Sequence, residues 1–288
     1  MSGLVWQDLD QAALDRAYDQ TQWASNAAEV MARYTQRSKL ALQRLGPARR
    51  LAYGPGGNEQ LDLHGAGPTP APTLVYVHGG AWRSGRAEDY AFLAEPFVRA
   101  GARVIIPDFD AVQDCAGDLR VLADQVRRAL ASVLAHAQAW GVDPRQIHLA
   151  GHSSGAHLAA VAATAGDGVP IASLMSCSGM YELEPVRRSA RSRYVHIDDL
   201  AVHSLSPARH ARALSGPLLV AVGSLESPQF VWQSQMWTET AVSAGISTTA
   251  LWAEGLNHFE ILETLADPLS PLCRMQMHRM GLTDMAHG

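Results

Sequence analysis

From residue 73 onward the chain alternates two hydrophobic patterns. Short apolar runs at Thr73 to Val77, Ala102 to Ile106, Gln146 to Ala150, Ile171 to Ser176, Pro217 to Val222 and Thr248 to Trp252 read as strands. Stretches at 87–99, 117–139 and 229–244 space their apolar residues at helical intervals and predict helices between them. Strands this uniformly apolar are buried on both faces. With helices alternating between them, they imply a mostly parallel sheet covered on both sides. The fold class read from the pattern is therefore α/β.

Ahead of that region, residues 8–45 carry Leu9, Ala12, Ala13 and Leu14, then Ala27, Val30, Met31, Tyr34 and Leu40 at helical spacing. This predicts an N-terminal helical segment closed by Gly46-Pro47. Gly54-Pro55-Gly56-Gly57 is a turn, Leu61-Asp62-Leu63 alternates like a strand, and 65–72 is a Gly/Pro-rich loop. Residues 181–213 break the alternation with charges and histidines between two strands. Ligands in open α/β sheets bind beyond the carboxyl ends of the strands, so this insertion predicts a small cap over the site; a plain surface excursion is the alternative. The expected organisation is one domain over 1–288, with no internal repeat.

Composition narrows the class. The 288 residues are 47% hydrophobic and 18% charged, which fits a globular enzyme rather than a disordered chain. A net charge of -5 without a basic stripe argues against a nucleic-acid partner. Cys115, Cys177 and Cys273 are odd in number and far apart, as in neither a disulfide framework nor a zinc site. The first residues lack the pattern of a secretory signal, and no run is apolar enough to span a bilayer. The expectation is a cytoplasmic protein without a membrane partner; a homodimer is left open.

Chemistry enters at Gly151-His152-Ser153-Ser154-Gly155, a G-x-S-x-G pattern between a strand and a helix. That is the nucleophile elbow of the α/β-hydrolase fold, with Ser153 as the nucleophile. A serine hydroxyl needs a base in hydrogen-bond reach and a third group to orient that base. In this fold the acid and then the histidine follow the serine along the chain. Glu226 lies just beyond the strand ending at Val222, and His258 beyond the strand ending at Trp252. Asp198, Asp199 and Glu254 are alternative acids and His278 an alternative base, all less well placed relative to strand ends. Upstream, His78-Gly79-Gly80-Ala81-Trp82 leaves a strand as a Gly-Gly loop. Backbone N–H groups of Gly79 and Gly80, with that of Ser154, would form an oxyanion hole. His78 is expected to brace this loop, and His152 and His157 to pack or hydrogen-bond.

The H-G-G-x-W form of residues 78–82 resembles the kynurenine formamidase (arylformamidase) family. The likeness extends to Leu14-Asp15-Arg16-Ala17-Tyr18, to Ala52-Tyr53-Gly54-Pro55 with 60–63 as a first hairpin, and to the loop around Glu226. It continues through Asn257-His258-Phe259 and Asp267 to Leu272. Ser154, Ala156 and Asp108-Phe109 depart from the family pattern. The resemblance implies an α/β-hydrolase with Ser153 as nucleophile, Glu226 as acid and His258 as base, working without a cofactor on an aryl formamide.

A carboxylesterase on small or aryl esters is the nearest alternative; a non-catalytic binding protein and an acyltransferase are more distant ones. Trp82, Tyr181 and Phe230 are the candidate aromatic walls for a small aromatic amide or ester, with core packing as the rival reading. Arg187, Arg188, Arg191 and Arg193 read as a solvated charged face, with contact to an acidic substrate as the other option.

Overall fold

The computed structural model describes residues 3–166 and 169–282. Eight strands form one open sheet: β1 (Arg49–Ala52), β2 (Gln60–His64), β3 (Ala71–Val77), β4 (Arg103–Pro107), β5 (Val142–His152), β6 (Ser173–Cys177), β7 (Leu218–Gly223) and β8 (Thr248–Ala253). Their order is β1-β2-β4-β3-β5-β6-β7-β8. β1 and β2 join antiparallel at one edge, and from β4 onward every neighbouring pair is parallel.

Alternation along the strands explains the two-sided burial. Val75 and Val77 of β3 face one apolar cluster, and Leu74 and Tyr76 face the other. The first cluster is covered by α1 (Gln11–Ala17), α4 (Leu119–Ala135), α6 (Ser154–Ala163) and α9 (Pro228–Ser243). The second is covered by α2 (Ala27–Leu45), α3 (Ala94–Arg99), α10 (Glu260–Thr264) and α11 (Pro271–Arg279). The expected parallel sheet with helices on both faces is what the chain forms, as an α/β-hydrolase fold.

Two expectations need adjusting. The helical segment at 8–45 is not continuous. Asp10 caps α1, then Asp19 accepts from the Thr21 N–H and opens a separate 3₁₀ turn before α2. The helix expected at 117–139 starts at Leu119, capped by Asp118, and breaks at His136 before the single turn α5 (Ala137–Trp140). The segment 181–213 folds into α7 (Glu184–Arg188), α8 (Asp199–Ser204) and two 3₁₀ stretches, Ala190–Arg193 and Pro207–Ala213.

Candidate active site

The turn from β5 into α6 sets the centre of the site. Ser153 holds φ 57 and ψ -126, a conformation that L-residues rarely adopt. Its N–H donates to the Cys177 carbonyl at the end of β6 (2.9 Å), which fastens the turn to the sheet. At Gly155 a Cβ would collide with the carbonyl oxygens of Val77 and His78, so only glycine lets β3 pass this close.

The carboxyl ends of β7 and β8 deliver the partners. His258 Nε2 lies 2.9 Å from Ser153 Oγ, and His258 Nδ1 lies 2.6 Å from Glu226 Oε2. The carboxylate can only accept, so Nδ1–H donates to Glu226 and Nε2 is left to accept from the serine hydroxyl. Glu226 Oε1 accepts from Ser178 Oγ at 2.5 Å and from the Gly223 N–H at 2.8 Å. All three members are buried, at 4–6% exposure. The relay is shielded from water, where charge-assisted bonds are strongest.

Neighbouring groups hold the imidazole. His152 Nε2–H donates to the His258 carbonyl at 2.7 Å. Burial pushes the His152 pKa well below 6.5, so it stays neutral and does not compete for protons. Phe230 meets the His258 ring edge-to-face at 5.0 Å. Asn257 Oδ1 accepts from the Phe259 and Glu260 N–H groups, and its amide donates to Asn26 Oδ1, just ahead of α2 (2.9 Å). Tyr34 Oη donates to the Phe259 carbonyl. The acid loop is anchored too: Ser227 Oγ donates to Ala17 O (2.6 Å) and accepts from Gln20 Nε2 (2.7 Å).

The loop after β3 runs beside the elbow. Gly80 sits at φ +120, where a Cβ would strike the Ser84 carbonyl, and its own carbonyl accepts from the Arg83 and Ser84 N–H groups. The Trp82 backbone N–H donates to Ser154 Oγ at 3.2 Å, tying this loop to the residue after Ser153. Ser154 opens α6, where a helix N–H has no intrahelical partner and can serve a ligand. Gly79, Gly80 and Ser153 line one cleft. His78 is clamped between Phe109 (4.4 Å) and Tyr90 (5.4 Å), with its Nδ1 against the Gly79 carbonyl. Asp108 lies 3.7 Å behind it. Burial alone would raise the Asp108 pKa, but the nearby His78 ring and hydrogen bonds from Arg50 and the Ala87 N–H carry it below its usual value.

The cleft encloses about 540 Å³, room for a small aromatic molecule. Its aromatic lining is Tyr18, Tyr34, Tyr90, Tyr194 and Phe259. Trp82, Tyr181 and Phe230, expected as its walls, lie instead behind them in the core. Trp82 donates its indole N–H to His157 (3.3 Å), and Tyr181 stacks on Trp237 at 5.5 Å. Phe230 buttresses His258 from inside. Trp82, Tyr181 and Phe230 are fully buried, whereas Tyr90, Tyr194 and Phe259 of the wall stay partly exposed. Spacing along the chain carries no sign of this. Ser178 is a further residue that no motif marks.

The rival acids and base do not approach Ser153. Asp198 caps α8, Asp199 pairs with Arg187 at 2.5 Å, and Glu254 and His278 are exposed.

The BD-FAE family model matches residues 61–180. Over almost its full length the chain is similar to two fish proteins described as kynurenine formamidases. It is 29% identical to that of Salmo salar and 27% identical to that of Danio rerio, each over 96% of this chain and 98% of the relative. A solved structure described as a candidate thioesterase of Silicibacter sp. TM1040 superposes with a TM-score of 0.80. It is 27% identical and covers 91% of this chain and 97% of that one.

Proposed function

We propose that this chain, an α/β-hydrolase of the kynurenine-formamidase-like kind, is a serine hydrolase that cleaves an aryl formamide related to N-formylkynurenine. The observation that carries the hydrolase reading is the continuous relay from Ser153 through His258 to Glu226, at 2.9 and 2.6 Å. The full-length similarity to formamidases supports the choice of bond.

In this mechanism His258 takes the Ser153 proton as Oγ attacks the formyl carbon. Glu226 stabilises the imidazolium that forms. The N–H groups of Gly79, Gly80 and Ser154 receive the developing oxyanion. The tetrahedral intermediate collapses as His258 gives its proton to the leaving arylamine nitrogen. Water, deprotonated by the same histidine, then attacks the formyl-serine ester and releases formate. The water proton passes back to Ser153 through His258.

An acyl-ester or thioester substrate is the second reading, favoured by the likeness to the candidate thioesterase. Comparing kcat/KM for N-formylkynurenine with that for p-nitrophenyl esters separates the two. Ser153→Ala is expected to lower kcat by about 10⁴-fold or more on either class. Turnover near the parent level in that variant overturns the serine mechanism.

A further inference from the structure

Four arginines crowd residues 187–193, and three of them meet carboxylates of the protein. Arg187 pairs with Glu184 (2.7 Å) and Asp199, Arg188 pairs with Glu184 (2.6 Å), and Arg193 reaches Asp15 at 3.6 Å. Arg191 differs from the rest. It is only 8% exposed and lines the same cleft as Ser153. Its guanidinium lies over the Trp82 ring at 5.4 Å, and one Nη donates to Tyr194 Oη at 2.9 Å. Its Nε–H is buried with no acceptor, and among the described residues no carboxylate comes within salt-bridge distance of it.

The acids that share the cleft make their hydrogen bonds elsewhere, although the Arg191 charge reaches Asp19. Asp19 accepts from the Thr21 N–H and Oγ and from Gln22 Nε2. Asp15 accepts from Gln11 and faces Arg193. Asp89 accepts from Thr35 Oγ1 at 3.2 Å. Withdrawing a guanidinium from water while leaving a donor unmet is costly, and such a group calls for an acceptor from outside the chain. Its planar fork matches a carboxylate with two parallel hydrogen bonds. Tyr18, also in the wall, accepts from Gln233 Nε2 at 3.0 Å and so keeps its O–H to donate. Trp82 links this pocket to the reaction centre, since its ring carries Arg191 and its N–H bonds Ser154.

We infer that Arg191 binds a carboxylate of the substrate and so makes the enzyme selective for acylated aromatic compounds that carry one. The inference rests on the hydrolase reading above and adds to it the residue that reads the far end of the substrate.

The test uses two matched series, formanilides and phenyl acetates, each bearing a carboxylate or the isosteric carboxamide on a short ring substituent. The native enzyme should favour the carboxylate member of a series in kcat/KM. Arg191→Met should lower kcat/KM for carboxylate members by about 10- to 100-fold, the worth of a charge-assisted hydrogen bond, and leave carboxamide members within about threefold. Arg191→Lys keeps the charge without the fork and should fall between. Labelling of Ser153 by a fluorophosphonate certifies the fold of each variant; should the methionine variant fail it, the lysine variant decides by the same ratio. Equal losses on both members, or no loss on either, overturn the inference. Formanilides left intact while phenyl acetates keep the Arg191-dependent ratio would refute the formamide reading and leave the carboxylate site standing.

Discussion

Ser178 donates its hydroxyl hydrogen to Glu226 at 2.5 Å, on the oxygen that does not face His258. Ser178 also sits at φ 53, so the backbone is bent to present that hydroxyl. Ser178→Ala and Ser178→Gly both remove the donor. Each is expected to lower kcat by about tenfold or more, since hydrogen bonds to charged groups are the stronger ones. Glycine relieves the positive φ, so its variant should melt above the alanine variant. A glycine variant with parent activity would show that the hydroxyl does not matter.

Glu226→Gln keeps the shape of the acid and removes its charge. The amide can present its NH₂ to His258 and trap the wrong tautomer. We expect kcat to fall on the order of 10³- to 10⁴-fold, with KM little changed. A larger loss from Asp199→Ala than from Glu226→Gln would reassign the acid.

The two glycines near the serine should fail differently. An alanine Cβ at Gly155 strikes the backbone of Val77 and His78, so Gly155→Ala is expected to cost about 3 kcal/mol or more of stability, read from the urea midpoint. Gly80→Ala strikes the Ser84 carbonyl in an outer loop, so it should cost kcat more than it costs stability. A Gly155→Ala protein as stable as the parent would contradict the close approach of β3 and α6.

Buried histidines set an acid limit. Burial, with Arg279 adding to it, lowers the His148 pKa to about 4, and burial lowers that of His157 to about 4. Above the unfolded value near 6.5 both states are neutral and nothing is gained or lost. Between about 6.5 and about 4 the unfolded chain takes up a proton that the folded one refuses. Stability then drops by about 1.4 kcal/mol per pH unit for each such histidine. His148→Gln should recover about 2 kcal/mol of the acid loss by about pH 5, seen as a smaller shift in the urea midpoint from neutral pH. An unchanged shift would mean that His148 already accepts a proton in the folded protein.

Much of this was legible in one dimension. Strand ends come from apolar runs, and the fold requires acid and base at successive strand ends after the serine. Glu226 and His258 could therefore be located from Val222 and Trp252 alone. The lining of the cleft was not legible. Tyr18 and Tyr34 reach it from one end of the chain and Tyr194 from beyond the elbow, and only packing decides which ring lines the cleft. Arg191 looked like its three neighbours because charge along a sequence does not reveal burial. The interruption of the N-terminal helix at Asp19 turned on a side-chain cap that competes locally with helical bonding.

The ties from the N-terminal helices to the loops carrying Glu226 and His258 span most of the chain. Gln20 and Ser227 are 207 positions apart, and Asn26 and Asn257 are 231 apart. During synthesis Ser153 is made about a hundred residues before His258. The N-terminal segment must then wait for loops that close among the last contacts to form. A growing chain thus carries a hydroxyl with no partner to activate it. On the proposed mechanism, activation of that hydroxyl waits until His258 has been made and its loop is tied back to the segment around Asn26.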